Sequence, residues 1–408
     1  MAARSLCPAL ALAGASLLGL SSTAAEAGGA CGSTDPTWVL AAPAAPARVP
    51  GGVVLPHEIY VACPEPDILL PLAAARAAGA GIDAMTPDRF DPNGDSVLVS
   101  FDRQVGTFRP ADVLRCRIGT GSTGNDCTRI FDSAARGIPA YVNVVGLDQR
   151  EAGGNPRLLL AFDRAWRFGD GVFLPQRLYQ VDQNAITGFI SFPSSGDYGL
   201  DRSTGIADFS LSWNNGLALA RSRVSRSTAG GPAVPRGAVG LQNAFTQAVT
   251  GLFDFAAIDP SWRAAGIRGL GSQNGGRASF DVASLSVTEN AGSVSLPVQR
   301  IVRASDTPGN SGQGTIRYSV VLVNGTAVAG TDFAFAPPQL VQFDHGELAP
   351  QSVGFSLINN AIADGNRSFT VRMTPISAFA ARGQFMEVQV TIVDDEGGGD
   401  AIFANGFE

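Results

Sequence analysis

"SLSVTENAGSVSLPVQRIV", residues 284–302, decides how the C-terminal third of the chain is read. Val294, Leu296 and Val298 fall on one face and Ser293, Ser295 and Pro297 on the other, the two-residue period of a half-buried strand. "TIRYSVVLV" (315–323), "QLVQF" (339–343), "SVGFSLIN" (352–359), "RSFTVRMTP" (367–375) and "EVQVTIV" (387–393) follow at regular spacing. Seven short strands in about 115 residues predict an antiparallel β-sandwich.

Working back toward the N-terminus, a glycine-rich stretch, "GLGSQNGG" (269–276), reads as a linker over residues 269–277. Ahead of it lies an internal repeat. "WVLAAP" begins at Trp38, "VLVSFD" at Val97, "LLLAFD" at Leu158 and "LALARS" at Leu217. Each is followed by an apolar segment around a proline: "VLPHEIYV" (54–61), "FRPADVLR" (108–115), "FLPQRLYQ" (173–180) and "AVPRGAV" (233–239). A third element recurs as "GIDAM" (81–85), "VGLDQ" (145–149) and "GIADF" (205–209). Four units of about 60 residues predict a propeller-like β array over residues 28–268, because one such unit cannot bury its apolar face alone. The prolines place the second element at an edge or a strand start. "ILLPLAAARAAGA" (68–80) reads as a short helix inserted in the first unit.

The composition agrees with an all-β chain: 49 glycines and 25 prolines among 408 residues, with 45% hydrophobic residues. The net charge of −7 argues against a nucleic-acid partner, which needs a positive face. Residues 1–27 have the layout of a secretory signal peptide: Arg4, the apolar run "ALALAGASLLGL" (9–20) and "AEA" (25–27). No later segment is apolar for long enough to cross a bilayer as a helix, so no transmembrane segment is expected. Cys31, Cys63, Cys116 and Cys127 remain after the signal, an even number that reads as disulfides in an exported chain. Pairing Cys116 with Cys127 and Cys31 with Cys63 is the simplest of three arrangements.

Catalytic motifs are scarce. The only histidines are His57, read as an exposed strand position, and His345 in "FDHGE". "GNSG" (309–312) reads as a hairpin turn, and "RSRVSRS" (221–227) as a solvated edge strand. No nucleophile elbow, phosphate loop or dinucleotide fingerprint is present.

In the C-terminal region, "VTENAGSVSLPVQR" (287–300), "NGTAVAGTDF" (324–333), "VQFDHGE" (341–347), "FSLINNAIADGNRSFTV" (355–371) and "VTIVDDE" (390–396) occur in the order of the Calx-beta family. The resemblance covers residues 278–396. That family is an immunoglobulin-like sandwich known from sodium–calcium exchangers and many bacterial surface proteins. The resemblance implies calcium as cofactor and, position by position, Glu289, Asp332, Asp364, Asp394, Asp395 and Glu396 as candidate ligands. It also shows departures: Asn359 and Asn360 stand where the family has an acidic pair, and Arg367 where it has an acid. Three lost carboxylates and an added guanidinium imply weak binding of one ion.

The expectation is an exported, non-catalytic surface or adhesion protein of a bacterium, extracellular or cell-surface. Its partner would be a surface glycan or another protein, met by the repeat domain. The alternative is a secreted hydrolase with its site among the repeats. The tail, 397–408, ending "AIFANGFE", is similar to tails found on secreted proteins of some Gram-negative bacteria, and a sorting or surface-attachment signal is expected there.

Overall fold

In the computed structural model, residues 37–396 are described apart from 64–66, 70–71, 119–126, 153–154, 170, 176, 183–188, 195–205, 214–215, 222–232, 243–248, 303–311 and 337. The signal segment, Cys31, most of "GNSG", nearly all of "RSRVSRS" and the tail lie outside the described residues.

The recurring sequence elements take the same places in four antiparallel four-stranded sheets. The "WVLAAP" family supplies the second strands: Thr37–Pro43, Ser96–Phe101, Asn155–Phe162 and Gly216–Arg221. The third strands are Ile59–Cys63, Val113–Arg117, Arg177–Asp182 and Ala238–Gln242. Pro56, Pro110, Pro175 and Pro235 sit ahead of these strands rather than within them. The turns there close by bonds such as Glu58 N–H to the Leu55 carbonyl (2.9 Å) and Asp112 N–H to that of Arg109 (3.0 Å). A residue with fixed φ and no N–H suits such a turn and would break a ladder. His57 belongs to the first of these turns and is 8% exposed, which corrects its reading as an exposed strand residue.

The first strands are Ile82–Pro87, Val144–Ala152 and Ile206–Trp213 in three of the sheets. In the remaining sheet the first strand is Ile267–Asn274, which pairs along Thr37–Pro43 from Thr37↔Asn274 to Pro43↔Ile267. This corrects the linker reading of 269–277. The segment is a nearly fully buried strand that completes the sheet begun at residue 37. Its glycines serve packing: a Cβ on Gly269 would lie 3.1 Å from both Ala42 Cβ and Ile82 Cγ2, and one on Gly271 would lie 2.9 Å from Pro87 Cδ. The four first strands neighbour one another in a cycle. Ile267–Asn274 packs on Ile82–Pro87 and on Ile206–Trp213, and Val144–Ala152 packs on the same two. Helix Ala73–Ala78 forms within the expected stretch and ends at Gly79 (φ 61°). Cys116 and Cys127, partners across neighbouring strands, form a disulfide.

After Gly275–Gly276 the chain enters two facing five-stranded sheets. All seven expected strands are present, from Ser284–Thr288 to Glu387–Val393. Short segments, among them Arg277–Phe280, extend the sheet built on Ser293–Ile301 and Gln351–Leu357. Leu296 and Val298 point inward from Ser293–Ile301 as the alternation requires, and Phe280, Tyr318, Phe333, Phe343 and Phe369 fill the core. Phe333, the last residue of "NGTAVAGTDF", stacks on Phe369 at 4.1 Å.

The sandwich is seated against the repeats. Trp38 meets Phe379 edge-on at 5.6 Å, and Phe90 meets His345 at 4.8 Å. Buried Arg300 donates to the carbonyls of Gly275 (2.8 Å), Gly314 (2.8 Å) and Asp344 (2.7 Å), a backbone cage where the chain passes from one unit to the other.

Candidate cation site and the polar axis of the repeats

"NGTAVAGTDF" is a loop folded around its one acid. Asp332 Oδ2 accepts from Val328 N–H at 2.6 Å, and Asp332 N–H donates back to the Val328 carbonyl at 2.9 Å. Gly325 is required by a close approach, since a Cβ there would lie 2.4 Å from the Ser368 carbonyl oxygen. The other oxygen of Asp332 accepts from Arg367 Nη1 at 2.8 Å, and Arg367 Nη2 bonds Asp364. Asp332, 5% exposed, is therefore both a turn cap and one half of an ion pair.

The remaining acids gather a short way off. Glu289, in the turn Glu289–Ala291, is 5% exposed, and its Oε1 accepts from the backbone N–H (2.7 Å) and side-chain amide (2.5 Å) of Asn360. Asp394 accepts from Gly365 N–H at 2.6 Å and Glu396 N–H at 3.0 Å. One carboxylate oxygen each from Glu289, Asp394 and Glu396 lie within 4.8 Å of one another. Asp395 points elsewhere, to Asn290 Nδ2 at 2.7 Å. The backbone bonds hold the Asp394 carboxyl below its usual range. Burial, the hydrogen bond to Asp394 and the charges of Asp395 and Glu289 push that of Glu396 up. Glu396 Oε2 is buried without a hydrogen-bond partner.

That trio fits a hard divalent cation. Oxygens coordinating one calcium at about 2.3–2.6 Å cannot be more than about 5 Å apart, and three carboxylates supply the charge. Asp332 and Asp364 do not fit, because Arg367 already bridges them. Of the six expected ligands, the fold thus brings three together and pairs two with an arginine.

Sequence reasoning missed a second polar centre, inside the repeats. Asp208 is fully buried, and its carboxylate accepts four backbone N–H groups: Met85 at 3.1 Å, Leu147 at 3.0 Å, Phe209 at 2.7 Å and Leu270 at 2.6 Å. One donor comes from each first strand. Those strands share a register shift, between Ile82 and Ala84, Val144 and Gly146, Ile206 and Asp208, and opposite Ala42–Pro43. In each first strand the donor is the second residue after the extra one of the bulge. Burial pushes the Asp208 carboxyl up, and the four N–H bonds oppose that shift.

Polar residues lie along the same strands on either side of this cage. On one, Asp83 pairs with Arg268 Nε (3.0 Å) and with Asn143. Burial first, helped by Asp102 and Asp163, pushes the Asp83 carboxyl to about 6 against the pull of Arg268. On the other, Asp148 accepts from Arg89 Nη2 (2.6 Å) and Thr86 Oγ1 (3.0 Å). The sequence signal was the recurring "GIDAM", "VGLDQ" and "GIADF", in which the acid changes position.

Residues 272–396 match the family model of the Calx-beta domain. Among solved structures, the chain is similar to CBD12 from CALX1.2, with 26% identity over 29% of this chain and 46% of that one (TM-score 0.25). It is also similar to the apo-form Calx CBD1 domain, with 25% identity over 29% of this chain and 96% of that one (TM-score 0.25). The chain spans less than half the length of the first of these. No curated protein sequence matches it. Among the described residues, no helix is long and apolar enough to cross a membrane.

Proposed function

With residues 272–396 a Calx-beta domain, we propose that this is an exported, non-catalytic interaction protein whose sandwich carries one calcium ion at Glu289, Asp394 and Glu396. The observation that carries the reading is the convergence of three carboxylates, one oxygen of which is shielded from solvent. Three carboxylates this close repel one another, and a cation between them relieves that repulsion. The ion would tie the last strand to the loops around Glu289 and Asn360, stiffening the sandwich as a spacer. The repeats would then supply the face that meets a surface glycan or protein. Export is supported by the N-terminal pattern and by the Cys116–Cys127 disulfide, a bond characteristic of oxidising compartments.

Calorimetric titration with calcium tests the site. Wild type should bind one ion, and Glu289→Gln or Asp394→Asn should weaken it at least tenfold; no binding at millimolar calcium would remove the reading. Glycan-array binding by the full chain tests the second half. Asp83 favours the hydrolase alternative, as a buried carboxyl near 6 beside two further acids. Turnover of a glycan or peptide that Asp83→Asn abolishes would replace the interaction reading.

A further inference from the structure

We propose that Arg367 is a resident cation: it takes the electrostatic place of a metal ion between Asp332 and Asp364, and so limits the tip of the sandwich to a single exchangeable ion. The inference rests on the calcium reading for the Glu289 trio.

The two halves of this acidic tip are neutralised differently. Around Glu289, Asp394 and Glu396 the hydrogen bonds come from backbone N–H groups, the Asn360 amide and the contact between Asp394 and Glu396, none of which brings a positive charge. Three negative groups are left to a solute ion. Around Asp332 the charge is met from within. Arg367 is the first residue of strand Arg367–Pro375, and its two terminal nitrogens reach carboxylates on two different loops, Asp332 at 2.8 Å and Asp364. Its planar fork can hold two acceptors at once, and it stays charged at every pH the fold survives. Both oxygens of Asp332 are engaged, one by Val328 N–H and one by the guanidinium. An ion there would have to displace the arginine and then sit beside its charge. Cross-linking of the 324–333 loop to the loop before Arg367 is therefore independent of calcium, while closure of the Glu289 trio is not.

Arg367→Glu on the full chain, titrated calorimetrically with calcium, tests this. The expected result is a second bound ion, with a chelator-sensitive loss of thermal stability that calcium restores. Arg367→Glu/Asp332→Asn should lose the second ion and keep the first. Arg367→Lys keeps the charge and should stay at one ion. Unchanged stoichiometry in Arg367→Glu, or a second ion in Arg367→Lys, would overturn the proposal. Should Arg367→Glu not fold in chelator, refolding on calcium addition supports it, and failure to refold overturns it. The two readings separate cleanly. A wild type without an ion beside an Arg367→Glu protein with one that needs Asp332 removes the Glu289 site and keeps the resident cation. One ion in both proteins, lost with Glu289→Gln, does the reverse.

Discussion

Replacing Asp208 by alanine, the residue at the equivalent position 84, tests how the four repeat sheets are held together. The substitution removes the acceptor of four N–H groups, at 2.6–3.1 Å, in a fully buried site. Each buried donor left unpaired costs about 1–3 kcal/mol, so the gross loss is roughly 4–12 kcal/mol. Against it stands the relief of no longer desolvating a carboxylate, several kcal/mol. Water entering the vacated space would recover part of the rest. The net expectation is a loss of about 4 kcal/mol, or a fall in Tm on the order of 8–16 °C for a unit of this size. Differential scanning calorimetry measures it. Formate, a carboxylate small enough for the vacated space, should recover part of the loss in Asp208→Ala and none in wild type. Asp208→Asn keeps the volume but turns an NH₂ toward N–H donors, so it should also lose stability, without rescue by formate. A Tm within about 2 °C of wild type for Asp208→Ala would show that the cage contributes little and that packing alone closes the cycle.

Two further outcomes follow from the same physics. Burial, with Arg89 and Arg300 nearby, holds the His345 imidazole down to about 4, and its Nδ1 accepts from Gly314 N–H at 2.9 Å. A base with a lowered folded pKa contributes stability that is present above its unfolded value near 6.5 and lost as pH falls toward 4. His345→Asn keeps an acceptor there and should remove about 3 kcal/mol of acid sensitivity from urea melts between pH 7 and 4; an unchanged pH profile would contradict this. Gly269→Ala would crowd Ala42 and Ile82 at 3.1 Å and should cost about 1–3 kcal/mol in denaturant unfolding. Gly354→Ala, whose new methyl would meet only a carbonyl oxygen at 3.9 Å, should be neutral or slightly stabilising; equal costs for the two would refute the packing account.

The sandwich was legible because its information is local. Alternation with period two places Leu296 and Val298 inside whatever their partners are, and the loop acids stand in recognisable order along the chain. The repeats were legible for the same reason: each unit carries its own strand pattern and its own proline turn. Where the linker reading failed, the deciding neighbour was remote in sequence. "GLGSQNGG" resembles a linker until Thr37–Pro43 is laid beside it; the glycines are then what lets one strand approach Ala42, Ile82 and Pro87. His57 was read as an exposed strand position, yet it lies in the turn at Pro56 and is buried.

The amino-acid order by itself determined the strands of the sandwich, where it begins to alternate and which acids stand in its loops. Those properties depend on residues a few positions apart. Only the tertiary structure decided that Arg367 joins Asp332 to Asp364, that Glu289, Asp394 and Glu396 converge, and that one carboxylate, Asp208, gathers N–H groups from four strands. Charge pairing and donor satisfaction act across space rather than along the chain, so they depend on which distant segments the fold makes neighbours.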